Sequence, residues 1–244
     1  MEATDIQFAG SIPEFYDRCL GPFLFEPYAK DLALRAATIG PGRLLETAAG
    51  TGIVTVALAA ALPEAEIVAT DLNPDMLSVA AGKLDSPRVS FAPADAQSLP
   101  FPDAAFDLVV CQFGAMFFPD RVAAYREARR VLRPGGTFLF NVWDRLEANP
   151  ASQAVAEAVA ALFPADPPSF LTRVPFGYHD PALIEADLRS AGFSAVAAET
   201  VGKRSRGSAR ELAPGLCHGS PLRAEIEARA PDRLDEATEA LWRL

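Results

Sequence analysis

The chain has 244 residues, half of them hydrophobic, with 22 lysines and arginines against 32 aspartates and glutamates. This length suits one α/β domain with an added lobe, large enough to bury a core. The formal net charge of -10 repels phosphate backbones and anionic lipid, so nucleic acid is not an expected partner.

The cysteines and histidines exclude several further classes of protein. Cys19, Cys111 and Cys217 are widely separated and fit neither a disulfide framework nor a zinc site, which indicates a reducing cytoplasm. His179 and His218 have no ligand cluster at metal spacing, so no metal is expected. The first residues are acidic, unlike a secretion signal, and no apolar run reaches the ~20 residues of a membrane span. We expect a cytoplasmic protein; its oligomeric state stays open.

Residues 1–42 are predicted to form a helical N-terminal lid segment. A helical region over residues 12–39 is rich in aromatic side chains and is interrupted by Gly21-Pro22 and Glu26-Pro27. The aromatic side chains either close over the loop that follows or cover one side of the core. Both interpretations stay open.

The segment Arg43 to Ile53 reads Arg-Leu-Leu-Glu-Thr-Ala-Ala-Gly-Thr-Gly-Ile, and it joins a buried strand to a helix predicted over residues 53–61. Small residues permit a sharp turn and let a ligand lie against the backbone amides, near the positive end of the helix. The loop is typical of a cradle for a nucleotide-type cofactor. A purely steric turn is the alternative if the loop is considered alone.

A second strand, over residues 66–71, ends in the carboxylate of Asp71. Asp71 follows Gly50 by about 20 residues, the spacing at which an acidic side chain in a βαβ unit can accept hydrogen bonds from both ribose hydroxyls. Capping of the next helix is the alternative, but Asn73 before Pro74 fills that role. We therefore interpret Asp71 as a ribose ligand.

Two further buried strands are predicted over residues 89–93 and 106–111. Asp95 stands after the first of them, where it could accept the amino proton of an adenine. The second runs into an aromatic segment, residues 112–118, which contains a glycine. This segment is well placed to line a ligand site.

A helix over residues 120–132, a turn over 133–136 and a fifth strand over 137–143 complete an alternation of five strands with helices. This alternation predicts a parallel sheet with right-handed crossovers, whose ligands bind at the carboxyl ends of the strands. The predicted fold is a Rossmann-like three-layer α/β sandwich with a mostly parallel central sheet, a helical N-terminal lid and a variable C-terminal segment. Residues 43–143 form its cofactor-binding core.

Residues 144–244 are assigned to the same domain, as a C-terminal part with an acceptor-site insertion and a sixth strand. The sixth strand is predicted over residues 194–204, after a helix capped by Asp180-Pro181. The residues beyond it contain charged helical stretches and no β pattern.

In this order, the features resemble the class I S-adenosylmethionine-dependent methyltransferases, particularly the small-molecule branch related to quinone-biosynthesis (type 11) methyltransferases. The resemblance covers about residues 42–143. It rests on Leu-Leu-Glu-Thr-Ala-Ala-Gly-Thr-Gly, Thr-Asp-Leu-Asn-Pro-Asp-Met-Leu, Ala-Asp-Ala-Gln-Ser-Leu-Pro-Phe, Phe-Asp-Leu-Val-Val-Cys-Gln-Phe and Leu-Arg-Pro-Gly-Gly. It implies S-adenosylmethionine as cofactor, S-adenosylhomocysteine as product, and in-line methyl transfer to an O, N or C nucleophile of a small-molecule acceptor.

The resemblance also implies which residues hold the cofactor. The small residues of the loop would pack on the methionine moiety, while Glu46 would orient the loop or the ammonium group. The implied residues are Glu46, Ala48, Gly50, Gly52 and Gln112 on the methionine side, Asp71 at the ribose, Leu72 and Met76 beside the adenine, and Asp95 and Ala96 at the adenine amino group.

Two departures from the family pattern stand out. The first motif usually opens with Asp-x-Gly, and here it reads Glu46-Thr47-Ala48; we expect the additional methyl group to be tolerated. The usual fold also ends with an antiparallel seventh strand, and the sequence shows no candidate for it before Leu244. This would leave the sixth strand partly unprotected.

No dedicated catalytic residue is visible, since the sulfonium already activates the methyl carbon. Positioning of the acceptor alone can contribute roughly 7 to 11 kcal/mol. His179 could deprotonate a hydroxyl, although we favour a surface or loop-bracing role for it. The candidates to line the acceptor pocket are Tyr16, Phe117, Phe118, Trp143, Tyr178 and His179.

Two other functions compete with methyl transfer. A nicotinamide-dependent oxidoreductase is disfavoured because Thr55 stands where the dinucleotide fingerprint has Gly or Ala, and because no lysine lies in a Tyr-x-x-x-Lys arrangement. A catalytically silent methyltransferase-like module, which binds a cofactor or a partner without turnover, is the second alternative. Tight cofactor binding without methylation of any member of a broad acceptor panel would favour it.

Overall fold

The computed structural model describes residue 5, residue 8, residues 10–205 and residues 207–242. The N-terminal segment predicted over residues 1–42 and the chain end at Leu244 therefore lie partly outside the described residues. Within them, the sheet has five parallel strands in the order β3-β2-β1-β4-β5. The strands are β1 Arg43–Thr47, β2 Glu66–Asp71, β3 Val89–Pro93, β4 Phe106–Gln112 and β5 Leu132–Asn141.

Strand β1 lies at the centre of the sheet, between β2 and β4. The direction of strand addition reverses between β1 and β4, and open parallel sheets bind their ligands in the crevice at such a point. Leu108, Val109 and Val110 of β4 are completely buried, as expected of a strand that is covered on both faces. The predicted Rossmann-like fold is confirmed.

Helices cover both faces of this sheet. On β1, Leu44 belongs to a core cluster with the helices Glu26–Ile39 and Ile53–Ala61, whereas Leu45 belongs to a cluster with the helix Arg121–Val131 on the opposite face. The two faces differ because successive side chains of a strand alternate. The helices are α1 Ile12–Phe15, a π-helix Tyr16–Phe25, α2 Glu26–Ile39, α3 Ile53–Ala61, α4 Pro74–Ala81, α5 Arg121–Val131, α6 Pro150–Leu162, α7 Phe170–Arg173, α8 Pro181–Ser190, α9 Ala209–His218, α10 Leu222–Arg229 and α11 Leu234–Leu241, with 3₁₀ turns at Ala115–Phe117, Leu146–Ala148 and Pro231–Arg233. None of the described helices is both long and apolar enough to cross a membrane.

The N-terminal helical region is not interrupted where the sequence predicts. Gly21-Pro22 lies inside the π-helix, and Pro27 lies in the first turn of α2. The amide of Glu26 donates to the carbonyl of Gly21, five residues back. A proline lacks the amide proton and crowds the preceding turn of an α-helix, and the wider π turn accommodates it here.

Strand β5 begins earlier than predicted. Its pairing with β4 jumps from Phe106↔Leu132 to Leu108↔Thr137, so residues 133–136 form an irregularity within the strand instead of a turn before it. Gly135 has a φ of 81°, which is favourable for glycine. Such a bulge lets extra residues enter a strand without ending it.

The prediction of a sixth strand over residues 194–204 is wrong, because this segment has no regular secondary structure. Glu199 pairs with Arg35 and Lys203 with Asp31, both at 2.9 Å, so the segment is held against α2. An open cleft of about 2510 Å³ separates it from β5. A strand forms only with a partner at about 4.8 Å, and β5 is paired on its β4 side alone. The described residues contain no seventh strand either.

The C-terminal helices form a layer over the N-terminal segment. The sequence did not predict this packing. Leu20 and Phe25 of the π-helix share a core cluster with Leu216 of α9 and Leu241 of α11. Gly219, at the end of α9, allows the two segments to approach closely, because a Cβ there would lie 2.6 Å from the amide nitrogen of Tyr16. The N-terminal segment therefore packs between the sheet and the C-terminal helices.

Gly219→Ala is expected to lower the free energy of unfolding by about 1 to 3 kcal/mol, because backbone atoms of Tyr16 and Phe15 block the new methyl group. Gly202→Ala is the matched control, since a Cβ there would meet nothing within 4 Å, and its effect should stay within about 0.5 kcal/mol. Urea unfolding of both variants measures the difference. Equal effects would contradict the close packing of α9 on the π-helix.

Candidate functional site

The loop after β1 makes its turn with left-handed backbone at Ala48, Gly50 and Gly52, whose φ angles are 52°, 56° and 78°. Helix α3 starts directly after Gly52. Alanine is unusual at a positive φ, yet space is left for its methyl group. A Cβ on Gly114 would lie only 2.5 Å from that methyl carbon, so Gly114 makes the room that Ala48 requires.

Gly52 serves the packing of helices in addition to the turn. A Cβ at this position would lie 2.8 Å from the Cβ of Ala80 on α4. A Cβ on Gly50 would meet no protein atom within 4 Å, and Gly50 lines the cavity described below. The two glycines therefore have separate roles, one toward α4 and the other toward the cavity.

Asp71 at the end of β2 holds the loop in place. Its Oδ2 accepts a hydrogen bond from the amide of Gly50 at 2.8 Å, and its Oδ1 accepts one from the amide of Asn73 at 2.8 Å. Burial raises the pKa of Asp71 above its usual range, while these backbone hydrogen bonds oppose the rise. The side chain of Asn73 and the amide of Leu72 also form hydrogen bonds that lower the pKa of this carboxyl. Asn73 precedes α4, but its side chain does not cap that helix.

Glu46 on β1 is a buried carboxyl with 1% of its surface exposed. The hydroxyl of Thr55 on α3 donates to its Oε2 at 2.7 Å. Burial raises the pKa of Glu46 to about 8; the hydrogen bond from Thr55 limits the rise, and the charge of Asp71 adds to it. Burial therefore favours the neutral form of this carboxyl over its charged form.

Gln112 at the end of β4 presents an acceptor without a partner. Its Nε2 donates to the carbonyl of Phe25 at 3.3 Å, so Oε1 is the free end of the amide. This oxygen is buried and has no hydrogen-bond partner among the residues that the structure describes. A buried polar atom left unpaired is costly, which indicates that a donor from a ligand completes the site.

A cavity of about 30 Å³ lies among these groups. That space holds about one water molecule or a group of similar size. Tyr16 and Phe25, whose rings stack at 4.7 Å, form its cover. The lining residues are Tyr16, Phe25, Glu46, Ala48, Ala49, Gly50, Thr51, Ile53, Val54 and Gln112.

The π-helix is tied to the loop by Asp17. The hydroxyl of Thr51 donates to Asp17 Oδ1 at 2.6 Å, and Lys83 forms an ion pair with the same oxygen. Tyr16 and Phe25 line the cavity from this segment, while Leu20 points into the core. The N-terminal aromatic residues thus both cover the loop and extend the core.

The residues predicted to contact the adenine lie outside this cavity. Leu72 is 53% exposed, whereas Met76 is buried in α4. Asp95 is half-buried and accepts a hydrogen bond from the amide of Gln97 at 2.8 Å, and Ala96 is half-buried beside it. All of them follow β2 or β3 at the carboxyl edge of the sheet, on the Asp71 side of the loop.

The predicted acceptor residues are not all brought together. Tyr16 lines the cavity, and Trp143 stacks on Phe113 at 3.9 Å. Phe117 and Phe118 are half-buried beside the main core cluster. Tyr178 is buried, and its hydroxyl donates to Asp187 at 2.8 Å.

His179 is exposed, and its Nδ1 lies 2.9 Å from the carbonyl oxygen of Phe176. This contact fits a loop-bracing histidine. Sequence reasoning missed Phe25, Phe113 and Thr51 as individual site residues, although the first two lie in segments recognised as aromatic-rich.

The strand, left-handed loop, helix and acidic second strand are together typical of α/β proteins that bind a nucleotide-type cofactor at the switch point of the sheet. The described residues contain no group of three or more side chains that could hold a metal ion.

A family model described as a methyltransferase domain matches residues 45–140. A demethylmenaquinone methyltransferase from Deinococcus radiodurans is 34% identical over 166 residues, which cover 66% of this chain and 67% of that protein. A demethylmenaquinone methyltransferase from Thermus thermophilus is 46% identical over 110 residues, covering 44% of this chain and 49% of that protein. The chain thus spans about two thirds of the first relative and about half of the second.

A solved structure of an S-adenosylmethionine-dependent methyltransferase from Thermotoga maritima superposes with a TM-score of 0.53 and 21% identity, covering 76% of this chain and 79% of that one. At this identity it shows the shared fold alone. The family model and the relative from Deinococcus radiodurans show that the chain belongs to the S-adenosylmethionine-dependent methyltransferases. The cofactor of this enzyme family is S-adenosylmethionine.

Proposed function

We propose that the chain transfers the methyl group of S-adenosylmethionine to an O, N or C nucleophile of a small, largely apolar molecule. The observation that carries this proposal is an aromatic cluster beside Gln112, at the carboxyl ends of β4 and β5. Phe113 and Trp143 stack at 3.9 Å, and Phe25 and Tyr28 pack against both. Such rings suit a flat, apolar acceptor.

The bound cofactor would supply an activated methyl carbon. The chain's own residues would then bind and orient the cofactor and the acceptor, and they would exclude water from the site. Glu46 and Gln112 present acceptors to the methionine end, and Asp71 holds the loop through Gly50 while it accepts from the ribose. Tyr16 and Phe25 shield the cavity from solvent, and they must shift to admit a whole cofactor, because 30 Å³ is too small for one.

Two further observations support a small-molecule acceptor. The net charge of -10 opposes binding of nucleic acid, and the two relatives above are named for a quinone precursor. The three free cysteines, two of them buried, are consistent with the reducing cytoplasm in which we propose that the enzyme acts.

Calorimetric titration with S-adenosylmethionine, S-adenosylhomocysteine and NAD tests the cofactor assignment, and an acceptor screen that measures S-adenosylhomocysteine formation tests the reaction. We expect both adenosyl ligands to bind, NAD not to bind, and turnover with apolar aromatic acceptors such as reduced naphthoquinones. Binding without turnover on any acceptor would favour the catalytically silent module. Absence of adenosyl binding would overturn the proposal.

Asp17→Asn is expected to speed association of S-adenosylhomocysteine severalfold, because it loosens the tie between the π-helix, Thr51 and Lys83. An ion pair of half-exposed groups contributes about 0.2 to 1 kcal/mol, which limits the effect. Stopped-flow fluorescence measures the rate, with Asp85→Asn as control, since Asp85 is an exposed acid close to Lys83 in the sequence. An unchanged rate in Asp17→Asn would show that the π-helix does not gate entry.

A further inference from the structure

Glu46 is a carboxyl that the proposed reaction leaves without a defined charge. It lies at the end of β1, lines the cavity, and is almost wholly removed from solvent. We propose that Glu46 is protonated in the unliganded protein and gives up its proton when the ammonium group of the adenosyl cofactor enters the cavity, with Thr55 as the positioning residue for its carboxyl. This inference rests on the proposed function.

In the described part of the chain, the groups that face Glu46 carry no positive charge. Asp71 on β2 is a neighbouring carboxylate, and Cys111 on β4 is a buried thiol whose pKa burial raises to about 12. Tyr16 from the π-helix lines the same cavity, and burial together with Asp71 and Asp17 raises its pKa as well. Thr55 on α3 donates one neutral hydrogen bond. Lys83 is engaged by Asp17. A buried carboxyl in such surroundings is stable as the neutral acid.

The cavity fits an ammonium group in size and in chemistry. Its volume of about 30 Å³ holds a group of the size of one water molecule. Two oxygens are available to accept from such a group, the Glu46 carboxyl and the unpaired Oε1 of Gln112. An ammonium carries donors only, so it satisfies Gln112 and supplies the cation that an ionised Glu46 needs.

The proton balance is simple. The neutral Glu46 acid loses one proton to the buffer, the carboxylate pairs with the ammonium of the ligand, and no bond of the cofactor changes. By linkage, affinity for the ligand must rise with pH while the unliganded Glu46 is protonated, and level off once it has ionised without ligand. The expected slope is about tenfold per pH unit on the rising part.

Calorimetry of the full chain at pH 7 in buffers of different ionisation enthalpy tests the inference directly, because the slope of the apparent enthalpy gives the number of protons released. S-adenosylhomocysteine should release about one proton. 5′-Methylthioadenosine, which has the adenosine and lacks the ammonium, should release none. Release with both ligands would point to Asp71 at the ribose and would overturn the role of Glu46.

Variants separate the charge from the structural role. Glu46→Gln should bind S-adenosylhomocysteine without proton release and with affinity that is flat between about pH 6 and 8. Thr55→Val removes the donor that favours the carboxylate, so the pH at which affinity levels off should move upward. Thr55→Ser should restore the wild-type profile. A purely structural threonine would change affinity at every pH equally, and that result would contradict its proposed role.

The two proposals fail in different ways. If no adenosyl ligand binds the wild-type chain, the proposed function and this inference are both wrong. If S-adenosylhomocysteine binds with no proton release and a flat pH profile, the cofactor assignment stands and the inference about Glu46 is overturned.

Discussion

Asp71→Ala is expected to weaken binding of S-adenosylhomocysteine by roughly 10- to 100-fold, because hydrogen bonds to a charged group contribute about 1.5 to 3 kcal/mol. The structure gives this loss two sources. The carboxylate would accept from the ribose, and it also anchors the loop through the amide of Gly50 at 2.8 Å. Removing it frees the loop in addition to removing a ligand contact.

Asp71→Asn separates the two sources. Its side-chain oxygen can keep one of the two backbone hydrogen bonds, to Gly50 or to Asn73, but the negative charge is lost. We expect an affinity between those of the wild type and the alanine variant. Calorimetry gives both affinities, and circular dichroism checks that the fold is kept. Wild-type affinity in Asp71→Ala would rule out the ribose role.

Substitution of the two loop glycines by alanine is expected to have different effects: Gly52→Ala should mainly lower the free energy of unfolding, and Gly50→Ala should mainly weaken ligand binding. Each substitution places alanine at a positive φ, which costs about 1 to 2 kcal/mol. Gly52→Ala adds a clash with Ala80 on α4, so its total loss of unfolding free energy should reach about 2 to 5 kcal/mol. The new methyl group of Gly50→Ala meets no protein atom and faces the space of the ligand.

We therefore expect Gly50→Ala to remain the more stable of the two and to lose at least tenfold in affinity for S-adenosylhomocysteine, since a methyl group replaces close contact with the loop. Urea unfolding and calorimetry on the same preparations measure both quantities. If Gly52→Ala unfolds no more readily than Gly50→Ala, the packing of the loop against α4 is not as the structure has it.

The parallel strands were predictable because their signal is local. Strands β2 and β3 occupy the predicted residues 66–71 and 89–93, since both runs are too short for a typical helix and are bounded by turn residues. The cofactor loop was recognisable for the same reason, as small residues between a strand and a helix carry their backbone requirement with them. The left-handed angles of Gly50 and Gly52 bear this out.

The segment over residues 194–204 shows where such local signals fail. Its residues favour a strand, yet a strand requires a hydrogen-bonded neighbour. The segment instead forms ion pairs with Arg35 and Asp31 of α2, and an open cleft lies between it and β5. The π-helix is similar, because its form around Pro22 belongs to a segment packed between the sheet and α9. Neither outcome can be read from the residues of the segment alone.

The sequence by itself determined the five parallel strands, the small-residue loop after β1 with Asp71 at the end of β2, and the family, because these depend on residues close together in the chain. Only the tertiary structure decided the environment of each site residue. Burial and the charge of Asp71 raise the pKa of Glu46, whereas the hydroxyl of Thr55 from α3 opposes the rise. Burial and charge are sums over neighbours that are distant in sequence, and those neighbours are known only once the chain has folded.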